Sequence, residues 1–203
     1  MFKKPIVYVI IFFALLVVGF FGVMSMAIPG FEKGGIPPLS TVQPFSFVNQ
    51  DGKTVTEKDL QGKVVVVNYF FTTCKGICPR MNNNIKKVYE EFKNEPDFLL
   101  LSHTSDPEVD SAARLKRYAD SMQVNTAKWE FLTGRKDSLY NMARLSYKID
   151  DPANDVQNVQ DEFLHTQFVA LVNKKGEVIK IYDGLKPSEL KQLSQRVHKL
   201  LGD

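Results

Sequence analysis

Val64 to Phe71 reads VVVVNYFF, a run of β-branched and aromatic residues broken only by Asn68. Apolar and polar positions do not alternate, so the run offers no face to water. It fits a strand buried on both sides, which obliges the rest of the chain to supply a layer above it and a layer below. Three residues later comes Cys74-Lys75-Gly76-Ile77-Cys78-Pro79, and after it Met81, Ile85, Val88, Tyr89 and Phe92 recur at helical spacing. A buried strand therefore runs straight into the start of a helix, with both cysteines of the chain at the junction.

The flanking pattern completes the domain. Phe45, Phe47 and Val48, then Asp51-Gly52, then Thr54-Val55 predict a hairpin closed by an Asp-Gly turn. Phe98 to Leu101 predicts a second buried strand, Asp110 to Met122 a helix, Trp129 to Leu132 a third strand, and Leu139, Met142, Ala143 and Leu145 another helix. Phe168 to Val172 and Val178 to Tyr182, joined by Asn173-Lys174-Lys175-Gly176, make a hairpin. Leu190, Leu193, Val197 and Leu200 outline a terminal helix. Helix crossovers early and antiparallel pairing late give an α/β class: a central mixed β-sheet flanked by helices, in thioredoxin-like order, with Lys148 to Leu164 as an addition.

The front of the chain is of another kind. Residues 6–28 are apolar apart from Tyr8 and Ser25, long enough at about 1.5 Å per residue to cross a hydrocarbon core of about 30 Å. A cleaved signal peptide would have a shorter apolar stretch and a small-x-small site, so an uncleaved transmembrane anchor is expected. Lys3 and Lys4 precede the span, whereas Glu32 and Lys33 cancel after it. Residues 1–5 are thus expected in the cytoplasm and the remainder outside, in a single-pass, extracytoplasmic arrangement. Pro29 to Gln43, rich in Gly, Pro and small polar residues, reads as a linker, and 44–203 as the folded domain. The net charge of +3 includes the two leading lysines, and no face gathers basic residues, which argues against nucleic acid as a partner.

The cysteine pair carries the chemistry. A helix N-terminus offers unpaired N–H groups and partial positive charge, which favour the thiolate as nucleophile or metal ligand. Cys-x-x-x-Cys places two sulfurs on one helical face. As a mere staple it is poor, since a five-residue loop stabilises a fold by only about 2 kcal/mol. Two thiolates and one imidazole suit copper, while structural zinc normally takes a fourth protein ligand. Three histidines compete for that place. His198 lies beside the stripe of the last helix and reads as a surface residue; His103 ends a buried strand near the same sheet edge; His165 immediately precedes the hairpin strand whose loop, in thioredoxin-like order, packs on the cysteine turn. The pattern alone leaves His103 and His165 both open.

The stretches VVVVNYFFTTCKGICPRM, SHTSDPEVDSAARLKRYAD, WEFLTG and HTQFVALVNKKGEV, in this order, resemble the Sco/SenC family of copper-binding cytochrome c oxidase assembly factors. The resemblance spans nearly the whole of 44–203. It implies a membrane-anchored thioredoxin-like domain in which Cys74, Cys78 and His165 hold copper, as Cu(I) or Cu(II), and in which the cysteines form a redox pair that is a disulfide when oxidised. It further implies a copper-bearing subunit of cytochrome c oxidase as partner, with other copper chaperones or thiol reductants upstream. Lys75-Gly76-Ile77 departs from the family's usual triplet and adds a positive charge beside the thiolates.

Three functions compete on these residues: a copper metallochaperone, a thiol–disulfide oxidoreductase that reduces the oxidase subunit's cysteines, and a peroxide reductase. The last would need an arginine beside Thr72 and Thr73, and none can be placed from the pattern. Asp106 in Asp106-Pro107-Glu108 reads as a solvated helix cap. Asp150 to Glu162, with five acidic residues and no basic one, reads as an exposed loop, either an ordinary solvated insertion or, from its place just before His165, one that gates the site or docks a basic partner.

Overall fold

The structure is a computed structural model and describes residues 4–27, 37–150 and 166–202. It divides into two units, Met1–Pro37 and Pro38–Asp203. The first contains helix α1, Lys4–Ala27. Within it Pro5–Met26 has a mean hydropathy of 2.9 and no buried residue in its most apolar stretch, so it is a candidate membrane span by length and composition.

The second unit is built on one sheet. Its strands are β1 (Ser40–Thr41), β2 (Ser46–Asn49), β3 (Thr54–Thr56), β4 (Val64–Phe70), β5 (Phe98–Thr104), β6 (Trp129–Thr133), β7 (Phe168–Val172) and β8 (Glu177–Asp183). They lie in the order β1-β8-β7-β4-β5-β6-β2-β3. β4, β5 and β6 are parallel, whereas β7 runs antiparallel to β4 and β8 antiparallel to β7. Helices α2 (Ile77–Phe92), α3 (Ala112–Met122), α4 (Lys136–Asn141) and α5 (Pro187–Gly202) connect or close these strands, and a π-helical turn, Met142–Ser146, extends α4.

Every residue of β4 is buried, as its composition demands. Because strand side chains alternate, Val64, Val66 and Phe70 join α2, α3 and α5 in one core, while Val65, Val67 and Tyr69 join Phe45, Phe47, Leu139 and Tyr147 in the other. The expected mixed sheet with helices on both faces is what forms. Gly52 at φ 76° closes the first hairpin, its N–H donating to the Asn49 carbonyl.

One boundary moves. Ser40 and Thr41, which composition assigns to the linker, pair with Val178 and Glu177, and the flanking Leu39 and Val42 amides donate to the Val178 and Gly176 carbonyls. An edge strand needs only backbone hydrogen bonds, so small polar residues serve and hydropathy gives no sign of it.

Candidate metal and thiol site

Cys74 and Cys78 bracket the entry to α2. β4 ends at Phe70, and the Cys74 amide donates to the Phe71 carbonyl at 3.2 Å, turning the chain out of the sheet. Gly76 caps α2, and Pro79 occupies its first turn, where a missing N–H costs nothing. Both cysteines are free thiols, Cys78 buried in the α2 face of the core and Cys74 half-exposed. They share a cavity of about 220 Å³ with Thr72, Asn82, Tyr118 and Met122.

The two sulfurs differ sharply. Burial opposes ionisation of Cys74, but the Cys78 thiol and the N–H groups of Cys78, Gly76 and Ile77 outweigh it, and its pKa falls below the usual value. Burial, the hydrogen bond it gives Cys74 and the charge on that neighbour push Cys78 up to about 12. The pair thus carries its first negative charge on the more accessible sulfur, with the deeper thiol as donor.

The loop that carries them is pinned by Asp110, a fully buried carboxylate. It accepts from the Thr72 amide at 3.0 Å, from the Thr72 hydroxyl, and from the Thr104 hydroxyl at 2.6 Å. Arg114 donates from Nε to Thr72 Oγ1 at 2.6 Å and lies 3.6 Å from Asp110. This is an arginine beside Thr72 of the kind that peroxide chemistry would require, but its Nε is occupied by the loop it braces. The cap of α3 is Ser111, whose side chain accepts from the Arg114 amide, so Asp106 is not the solvated cap that its position suggests.

His103 is removed from consideration as a ligand of the pair. Its ring packs in the opposite core against Tyr69 (centroids 5.0 Å apart, stacked), Tyr147 (5.4 Å), Phe47 (5.5 Å) and Phe45 (6.2 Å). Neither nitrogen has a hydrogen-bond partner, and burial drives its pKa down to about 3. A β-strand end near the right edge is not enough: residue parity decides the face, and His103 shares that of Tyr69. His198 pairs with exposed Glu91 at 2.7 Å, as a surface residue should.

His165 lies outside the described residues, as does 151–165 altogether. The segment's two ends are fixed close together, the Thr166 hydroxyl donating to the Ile149 carbonyl at 2.8 Å. Val169 then pairs with Asn68, so β7 begins beside the end of β4 that leads to the cysteines. Asp150 is not part of a solvated acidic loop; it binds the buried Arg144 at 2.7 Å. Among the described residues no cluster of three His, Cys, Asp or Glu side chains forms a metal site.

Sequence reasoning missed Asn82, Asp110 and Tyr118. A signal existed for the first: a lone Asn within a strand buried on both faces must find partners, and Asn68 donates to Asn82 at 3.1 Å.

The fold and site together define a thioredoxin-like protein with an asymmetric thiol pair at a helix entry. The SCO1/SenC family model matches residues 34–202, and the chain belongs to that family. An SCO1 protein homolog of Bacillus subtilis strain 168 is 34% identical over 148 residues, 71% of this chain and 74% of its own. A structure of BsSco, described as a Sco-family cytochrome c oxidase assembly protein with a disulfide switch, aligns with a TM-score of 0.68 at 31% identity, over 82% of this chain and 96% of its own. Copper-bound ScoI of Arabidopsis thaliana aligns at 0.62 and 25% identity, over 80% and 99%.

Proposed function

We propose that this protein is a copper metallochaperone, anchored by α1 with its domain on the extracytoplasmic side, that delivers copper to the binuclear site of cytochrome c oxidase during assembly. Cys74, Cys78 and His165 are its ligands. The observation that carries the reading is the thiol pair itself: two soft donors at a helix entry, one accessible and readily ionised, the other buried. Soft thiolates favour Cu(I), and a linear or trigonal set needs no fourth protein ligand. The copper-bound and assembly-associated relatives support the same cargo and the same client. Loading releases the Cys78 proton, so copper and that proton compete for one sulfur.

A second reading rests on the asymmetry of the pair. A more readily ionised outer thiol and a protonated inner one are the attacking and resolving members that thiol–disulfide exchange requires, and BsSco is described as having a disulfide switch. Copper and a disulfide cannot occupy the same sulfurs, so the two roles exclude each other at any instant. His165→Ala separates them, since exchange needs no imidazole. Oxidase activity at limiting copper should fall in cells carrying that variant, while disulfide-reduction rates of the purified protein stay near normal. Normal oxidase activity at normal protein abundance would overturn the carrier reading in favour of the reductase.

A further inference from the structure

A chain of buried polar side chains runs across one face of the sheet to the cysteine cavity. The Trp129 indole donates to Ser102 Oγ at 2.8 Å, Ser102 to Asn68 Oδ1 at 2.6 Å, Asn68 Nδ2 to Asn82 Oδ1 at 3.1 Å, and Asn82 Nδ2 to Tyr118 Oη at 2.8 Å. Trp129, Ser102, Asn68 and Asn82 are all buried.

The direction of this chain is not free. An indole N–H can only donate, so the Ser102 oxygen accepts there and its single hydrogen must go onward. The onward partner must be an acceptor, which fixes Asn68 with its oxygen toward Ser102 and its amide toward α2. Asn82 is oriented in turn, and its NH₂ group faces Tyr118. Tyr118 therefore accepts from inside the protein, and its own hydroxyl hydrogen points onward from the end of the chain.

That end lies in the cavity of the thiols. Tyr118 lines it together with Cys74 and Cys78, and its ring is held by Phe70 at 4.9 Å and Phe131 at 5.7 Å. Burial most of all, and after it the nearness of Cys78 and Cys74, raises the Tyr118 pKa against the opposing Asn82 hydrogen bond, so the hydroxyl keeps its proton.

We infer that Trp129, Ser102, Asn68 and Asn82 form a polarised hydrogen-bond chain that turns the Tyr118 hydroxyl hydrogen into the cavity of the Cys74–Cys78 pair, as a donor toward the reduced sulfurs. Tyr118 is thus a positioning residue that favours the reduced pair over the disulfide. The inference rests on the cysteines being the working pair and not on the identity of the metal they carry. Donors aligned in series polarise one another, and a donor fixed in advance has no reorganisation to undergo when the charge appears.

The test is the reduction potential of the pair, measured on the full chain in detergent by equilibration with dithiothreitol. Two electrons break the Cys74–Cys78 bond, the protein takes up the protons, and dithiothreitol closes to its ring disulfide. Tyr118→Phe keeps the ring and its packing but removes the donor. It should shift the equilibrium roughly tenfold toward the disulfide, about 30 mV more negative. Replacing Tyr118 by 3-fluorotyrosine, a stronger donor of nearly the same size, should move the potential the other way. An unchanged potential in a folded Tyr118→Phe protein, or shifts of the same sign for both replacements, would overturn the inference; should Tyr118→Phe fail to fold, the sign for 3-fluorotyrosine decides alone. None of these outcomes depends on copper, so a protein that fails to retain Cu(I) would count against the carrier reading and leave this measurement intact.

Discussion

Asn68 and Tyr69 are consecutive on β4, and their partners across β5, Ser102 and His103, are consecutive too, yet the two pairs point to opposite faces of the sheet and bury polar atoms in opposite ways. On the cysteine face the amides and hydroxyl are linked donor to acceptor from Trp129 to Tyr118. On the other face the imidazole of His103 has no hydrogen bond and is surrounded by aromatic rings. A buried polar group can be tolerated by finding partners or by staying neutral. Only the first route makes a directed connection to a functional cavity, and it makes every member dependent on the next.

The difference can be broken at its strongest point with Asn68→Leu, which is close in volume but leaves the Ser102 hydroxyl and the Asn82 amide without their partner. The expected loss is about 3 kcal/mol in chemical denaturation, because stranding buried partners costs more than the bonds were worth. His103→Phe should behave in the reverse sense at neutral pH, costing little or stabilising, since it strands nothing.

Acid sharpens the contrast. His103 titrates near 3 in the folded chain against a usual value of 6.5, so below 6.5 the unfolded chain binds a proton that the folded one refuses. Its effect is therefore a loss of stability as pH falls from 6.5 toward 3, about 1.4 kcal/mol per pH unit within that window. The wild-type minus His103→Phe difference in unfolding free energy should show that slope and flatten above 6.5. A difference independent of pH would mean that the imidazole is not buried neutral.

A smaller effect is expected from Trp129→Phe, which removes the donor-only anchor without touching the cavity. Ser102 and the two amides can then reverse, and the reduction potential should move in the same direction as for Tyr118→Phe but by about threefold in equilibrium constant instead of tenfold. Smallest of all, Glu91→Gln at the exposed His198 pair should change stability by less than about 0.5 kcal/mol.

The contrast also marks what was legible before the structure. The run at 64–71, the helical spacing after Cys78 and the late hairpin give the sheet and its two helical layers, because burial on both faces and period 3.6 leave direct traces in residue type. The cysteine pair is equally plain, being the only two in the chain. Side-chain partners leave no such trace. His103 and Asn68 both look like polar interruptions of buried strands, and only strand parity, together with α2 crossing above, tells which one reaches the cavity. Asp110 looks like one more acidic residue at a helix start, yet it is fully buried and holds Thr72 and Thr104. Ser40 and Thr41 enter the sheet through backbone bonds that composition does not record.

The central claim is that the two sulfurs carry copper, and titration of the reduced full chain with Cu(I) against a competing chelator, under anaerobic conditions, tests it most directly. About one tightly held ion per chain is expected, lost in Cys74→Ala and in Cys78→Ala and only weakened in His165→Ala. Above the Cys74 pKa and below about 12, where loading displaces one proton from Cys78, the apparent affinity should rise about tenfold per pH unit. Undiminished retention of copper after loss of both cysteines would contradict the account.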